Sequence, residues 1–169
     1  MGDLVHTLSD MQVADLTPGD YKTYSLKYYE GFQRTVYVVD HEVPYPDGKL
    51  IVSRTDPEGN ITHANQAFID MSGYTEAELI GRPHSILRHP DMPAVAFKDL
   101  WDTLARGVKW QGYVKNLRKD GAYYWVFATA IPNVREGKVV GYTSVRRKPS
   151  RTKVNGCIPV YAELRAKEV

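Results

Sequence analysis

The residues able to do chemistry in this 169-residue chain gather between Gly81 and Asn116. The centre of the stretch reads Arg88-His89-Pro90-Asp91-Met92-Pro93, with His84 upstream and Trp101, Trp110 and Asn116 downstream. A guanidinium fork suits carboxylates, phosphates and ring oxygens. An imidazole can donate, accept or bind a metal. An indole is a large apolar face, and a carboxamide offers both donors and an acceptor. Together they could hold a flat ligand with a polar edge. They also fit an ordinary helix packed on a sheet, beside a loop fixed by an Arg88–Asp91 pair. His84, His89 and Asp91 lack a recognised zinc spacing, so no metal site is expected. No nucleophile–histidine–acid set, G-x-S-x-G or Walker-type loop stands out, so the expectation is a non-enzyme.

The elements that position these groups can be read next. Pro90 and Pro93 remove backbone donors and disfavour helix just before each, so the stretch is a shaped loop. Pro93 can open a helix, and Asp91 is placed to cap it or favour its positive end. Phe97, Leu100, Trp101 and Leu104 then share one helical face, and Gly107 is a plausible stop.

The whole chain is globular in composition, with 43% hydrophobic and 25% charged residues and a net charge of +2. That charge gives no field suited to nucleic acid. No apolar run is long enough to span a bilayer, and the start lacks the pattern of a secretion signal, so a cytoplasmic protein is expected. The single cysteine, Cys157, excludes an intramolecular disulfide.

Asp10 to Leu16 suggests a short helix, and Tyr21, Tyr24, Tyr28 and Phe32 recur at helical spacing. Thr35 to Val39 suggests a strand. Residues 1–46 read as an extension that caps the domain or joins two copies. From Leu50 the order is strand (Leu50–Thr55), Asp56–Gly59 turn, strand (Asn60–Ala64), and a short helix over Asn65–Met71. A Thr75–Glu78 capping box then opens a second short helix, closed by Gly81. After the Gly81–Asn116 stretch come strands over Gly112–Arg118, Ala122–Ile131 and Val139–Arg146, joined by tight turns. Arg147 to Lys153 reads as a basic linker, with a short C-terminal helix after Gly156. Tight turns require antiparallel neighbours. The reading is α+β: about five antiparallel strands with short helices on one face and a ligand-sized space between. The domain spans 47–150, and 151–169 form a linker and helix.

The runs ITHANQAFIDMSGYTEAELIG, RPHSILRHPDMP, KNLRKDGAYYWVFATAIP and GKVVGYTSVRRKPSR resemble a PAS domain. More narrowly, they resemble the flavin-binding PAS domain of bacterial aerotaxis receptors. The resemblance implies a PAS fold with non-covalent FAD between helices and sheet, and a redox or oxygen sensor rather than an enzyme. Carried over by position, Arg88, His89 and Asp91 lie in the FAD-binding loop. Trp101 falls on an aromatic position of the next helix, with Trp110 following in the same order. Asn116 falls where an amide meets the polar edge of the isoalloxazine, and His84 and Asn65 are further carry-overs. Light-oxygen-voltage relatives place a reactive cysteine where His84 stands here, so no flavin–cysteine photoadduct is expected. Haem through His63, His84 or His89, or a cofactor-free interaction module, are the alternatives. The flanking segments imply a homodimer or a signalling protein partner. Asn116 is the expected relay of flavin redox state to that surface.

Overall fold

The computed structural model describes residues 8–28 and 31–168. Tyr29 and Glu30 in the tyrosine-rich segment, and residues 1–7 of the extension, lie outside them.

A five-stranded antiparallel sheet is the frame. Its strands are β3 (Ile51–Thr55), β4 (Ile61–Ala64), β5 (Trp110–Leu117), β6 (Tyr123–Arg135) and β7 (Lys138–Arg147), in spatial order β4-β3-β7-β6-β5. β6 and β7 are joined by Glu136-Gly137, both at positive φ, which matches the right-handed twist of the flanking strands. β3 lies between β4 and β7, so the chain must cross the sheet between β4 and β5. That crossing carries all of the mid-chain helices: α1 (Gln66–Ser72), α2 (Glu76–Leu79), a 3-10 turn (His84–Leu87) and α3 (Ala94–Ala105). The Thr75–Glu78 capping box is formed in both directions. Gly73 ends α1 in the left-handed conformation. These are the α+β order and the five strands expected from the sequence.

Side-chain alternation divides the sheet into two faces. Ile51, Ser53 and Thr55, then Trp110, Val114 and Asn116, then Tyr124, Val126, Ala128 and Ala130, and Ser144 and Arg146 occupy matching strand positions. Trp125 belongs to the opposite set, where its ring stacks on Tyr161 at 6.2 Å. Tyr161 lies on α4 (Arg151–Ala166), the C-terminal helix.

Four readings of the sequence are corrected. The tyrosine stripe is not a helix: Tyr21–Lys27 is strand β1, paired antiparallel with β2 (Gln33–Val39). Tyrosines spaced by three and four mimic a helical face, but the aromatic and β-branched residues favour a hairpin. Tyr28 closes that hairpin, stacked on Phe32 at 4.7 Å. Asp10–Leu16 holds only a 3-10 turn at Val13–Asp15. Asp91 does not cap α3, whose first amides are taken by Glu168 from the far end of the chain. The helix expected after Gly156 begins at Arg151, capped by Ser150, and runs through both Gly156 and Pro159.

Gly141 has φ +156, and a Cβ there would meet the Thr55 carbonyl oxygen at 2.2 Å. Backbone of the neighbouring strand cannot yield cheaply. Gly141→Ala should therefore lower stability by about 3 kcal/mol. Gly137→Ala, also at positive φ but in open space, should cost only about 1 kcal/mol. Urea melts of the two variants measure the contrast.

Candidate functional site

Between the sheet and α3 lies a cavity of about 750 Å³. It is within the range of about 300–1,000 Å³ typical of ligand pockets. Ala128 and Ala130 are short, which leaves space between the sheet and the helix layer. The α3 face predicted to be apolar forms the opposite wall through Phe97, Leu100, Trp101 and Leu104. The Trp101 indole remains 37% exposed and meets Tyr142 edge-on at 5.4 Å. Trp110 is buried on the sheet side, with its indole N–H donating to Asp99 at 2.9 Å. Its ring occupies the space above Gly112, where a Cβ would come within 2.5 Å of it.

The polar wall comes from three directions. Asn116 on β5 is almost fully buried and lines the cavity beside Tyr124. Arg88 comes from the proline loop, which forms an isolated bridge between Arg88 and Asn116. Its guanidinium lies over Phe97 at 5.3 Å and donates to the Lys27 carbonyl at 3.4 Å. His84 enters from the 3-10 turn, with Nε2 at 3.3 Å from Ser53 Oγ and 3.1 Å from Arg146 Nη1. The accessible part of His84 belongs to the cavity wall. Burial and the Arg146 charge push its pKa down to about 3, so the ring is neutral.

The sequence thus names five cavity-lining groups: His84, Arg88, Trp101, Trp110 and Asn116. The other three stand outside the wall. Asn65 caps α1 by accepting from Phe68 N–H, accepts from Val52 N–H and donates to the Leu50 carbonyl. His89 is 1% exposed, and its Nδ1 accepts from the Asp91 amide at 2.9 Å. Asp91 receives Lys115 Nζ at 2.8 Å and Arg165 Nη1 at 2.9 Å. Burial alone would raise its carboxyl, but the Lys115 hydrogen bond and the neighbouring cations hold it below the usual range. These three hold helix and loop in place behind the wall.

Arg146 was missed by sequence reading. It is 2% exposed, yet it lines the cavity with Ser144. Its strand position was readable, because residues 142, 144 and 146 alternate onto one face of β7. The basic run Arg146-Arg147-Lys148 instead resembles the start of a solvated linker. Tyr28 and Lys27 were likewise missed, since they reach the wall only through the β1–β2 hairpin.

Among the buried polar atoms without a protein partner are Thr55 Oγ1, Ser85 Oγ, Arg88 Nε and Arg146 Nε. All four residues line the cavity. Buried polar groups are normally satisfied, so these residues carry polar capacity that the protein itself leaves unused. Among the described residues no cluster could hold a metal ion, and no helix is long and apolar enough to cross a membrane.

An antiparallel sheet roofed by short helices around such a cavity defines a ligand-cradling α+β domain. The chain belongs to the PAS fold family, which it matches over residues 61–146. It is 48% identical to the aerotaxis receptor of Escherichia coli over 130 residues, covering 77% of this chain and 26% of the receptor. It is 31% identical over 99 residues to the nitrogen fixation regulatory protein of Klebsiella pneumoniae, covering 58% of this chain and 20% of that protein. The chain therefore spans about a quarter or less of these relatives. Among solved structures, a light-oxygen-voltage domain studied with a flavin analogue superposes with a TM-score of 0.57 at 28% identity, covering 65% of this chain and 83% of that one.

The burial of neutral histidines has a pH consequence. His84 and His89 are both pushed from 6.5 to about 3, chiefly by desolvation. A depressed folded pKa contributes stability that is complete above the unfolded pKa and is lost as pH falls toward the folded value. Stability should therefore decline from about pH 6.5 downward, by up to about 1.4 kcal/mol per pH unit for each histidine. His84→Gln should remove its share of the slope between pH 6 and pH 4, read from urea melts at each pH.

Proposed function

We propose that this domain binds FAD non-covalently in the cavity and acts as a redox or oxygen sensor of the aerotaxis type, not as an enzyme. The observation that carries the reading is the cavity itself. One wall holds a flat indole, Trp101, and the other presents the buried Asn116 carboxamide from the inner face of β5. A carboxamide suits the alternating donors and acceptors of a flavin pyrimidine edge. The Arg88 guanidinium donates to the Lys27 main-chain carbonyl and both residues line the cavity, so cationic side chains are available to a phosphate-bearing flavin. The resemblance to the FAD-binding aerotaxis type is what favours FAD over a smaller flavin. The 48% identity to the aerotaxis receptor over 130 residues supports the same reading.

The rival cofactors fit less well. Among the described residues, the histidine on the wall is His84, whose Nε2 already faces Ser53 and Arg146. A haem iron needs that nitrogen unencumbered. His63 is exposed beside Thr62, and His89 lies outside the wall. Cys157 sits on α4 and is not part of the wall, which argues against a photoadduct. We place the domain in the cytoplasm, working through a copy of itself or a signalling protein.

Absorbance of the purified protein tests the cofactor. The expected result is a flavin spectrum, with FAD released on denaturation and resolved from FMN by chromatography. A Soret band, or a colourless folded protein that takes up no flavin, defeats the proposal. Anaerobic reduction of the same sample tests the relay: amide exchange over 139–168 should change in wild type and respond less in Asn116→Ala that retains FAD. An identical response in the variant removes Asn116 from the route.

Assembly rests on separate surfaces. Ile158 and Val160 on α4 are 48% and 52% exposed, and Val140 on β7 is 49% exposed. A homodimer through these apolar side chains should appear by light scattering at micromolar concentration. A monomer there, with no partner co-purifying, would count against both forms of assembly.

A further inference from the structure

Arg146 is a buried cation that meets no counter-ion among the described residues. Its Nη2 donates to Ser53 Oγ at 2.9 Å, and its Nη1 donates to Ser144 Oγ at 2.9 Å and faces His84 Nε2 at 3.1 Å. Its guanidinium carbon lies 4.7 Å from the centre of the Phe68 ring. Its Nε has no partner. None of the ion pairs among the described residues includes it. Burial lowers its pKa only to about 10, so it is charged at neutral pH.

The groups facing it do not cancel that charge. His84 is neutral. Tyr124 is pushed up to about 12 by burial, so its phenol is neutral as well. The Tyr45 hydroxyl, also raised by burial, donates to the Arg146 carbonyl rather than meeting the guanidinium. Ser53 and Ser144 supply only hydroxyl oxygens. Enclosing an ion away from water costs on the order of several kcal/mol unless an opposite charge compensates. The open direction around Arg146 is the cavity.

We infer that Arg146 is the residue through which this cavity selects the charge state of its ligand, preferring a ring that carries a negative charge over the neutral one. This rests on the flavin reading above. Reduction of an isoalloxazine takes two electrons and one proton from solvent, leaving one net negative charge on the ring. The oxidised ring is neutral. A desolvated guanidinium therefore binds the reduced form more tightly than the oxidised form, and raises the potential at which the sensor switches. The second proton that would neutralise the reduced ring is disfavoured beside Arg146. The hydroxyls of Ser53 and Ser144 orient the guanidinium, and the Phe68 ring supports its face.

The test uses the full chain reconstituted with FAD. Arg146→Gln keeps a donor and removes the charge, whereas Arg146→Lys keeps the charge and loses the fork. Midpoint potentials are measured with dithionite as reductant and a reference dye. Losing the charge should reduce the preference for the reduced form at least tenfold, which lowers the two-electron potential by about 30 mV. The lysine variant should lie between wild type and glutamine. In wild type the absorbance of the reduced flavin should be that of the anion from pH 6 to pH 8. A reduced wild-type flavin that is neutral across that range overturns the inference, and this arm requires no variant. A glutamine variant holding stoichiometric FAD at the wild-type potential overturns it too, while leaving the flavin reading standing. A wild-type chain that takes up neither FAD nor FMN defeats both.

Discussion

The architecture depends on one constraint: a sheet face must be covered, but here its middle is too shallow for the cover to reach. Alternation along β6 and β7 puts Ala128, Ala130 and Ser144 on the inner face, between larger residues at the margins. A helix packed against three short side chains would leave a gap, and a gap costs the contacts its lining would have made. The fold keeps the gap and seals its rim. Tyr28 from the hairpin, Trp110 from β5 and the 3-10 turn with His84 all close on the same space. The large apolar groups that complete the core lie around the cavity rather than across it. Phe68, Ile51, Leu104, Tyr124 and Val126 are each at most 1% exposed.

Closing the rim creates a second demand, because the proline loop has few backbone donors and must be held by side chains. Asp91 meets it by accepting from Lys115 on β5 and Arg165 on α4. The Asp91 carboxylate is half-buried, so solvent screens it and the pair energies are modest. Their value lies in geometry. The amide of Asp91 also donates to His89, and the amide of Lys115 donates to Met92 Sδ at 3.4 Å. Loop and edge strand are therefore fixed to each other on either side of the Arg88–Asn116 bridge. The Arg88–Asn116 part of the polar wall is held in place by that fixing.

Much of this was legible in the sequence because the signals are local. Turn residues, capping boxes and period-two strands specify the sheet and the helices without tertiary information, and Trp101 falls on a helical face by spacing alone. What failed were features decided at long range. Tyr21 to Phe32 satisfy a helical period, but pairing with Gln33–Val39 decides for strand, as tertiary context often does. Asp91 stands in the ordinary place for a helix cap, yet a carboxylate seventy-odd residues away takes the α3 amides. Arg146 was hidden by its neighbours: a strand-end arginine beside Arg147 and Lys148 looks solvated, and only alternation into the cavity separates the buried cation from the exposed ones. His89 and Asp91 share a loop with Arg88, but adjacency in a loop does not put side chains on the same wall.

The C-terminal helix gains its significance from two points at which it attaches. Near its middle, Tyr161 donates to the Tyr113 carbonyl at 2.6 Å and stacks on Trp125, so that part rests on the outer face of β5 and β6. At its far end, Arg165 meets Asp91, and Glu168 accepts from the Ala94 and Val95 amides at 3.0 Å each. Glu168 also places a negative charge at the positive end of α3, where it is favoured. α4 therefore touches the outer face of the strands whose inner face forms the cavity, and it touches the start of the helix that forms the opposite wall. A change in spacing between the walls alters the distance between those two anchors. Gly156 and Pro159 both precede Tyr161, so the stretch between the two anchors contains no helix breaker and is stiff. Any movement of one wall against the other must therefore be absorbed at Tyr161 or released at Asp91 and Glu168. The contacts at Asp91 and Glu168 are screened ion pairs and cap bonds, and are weaker than a buried aromatic stack, so the end of α4 is where the fold yields first.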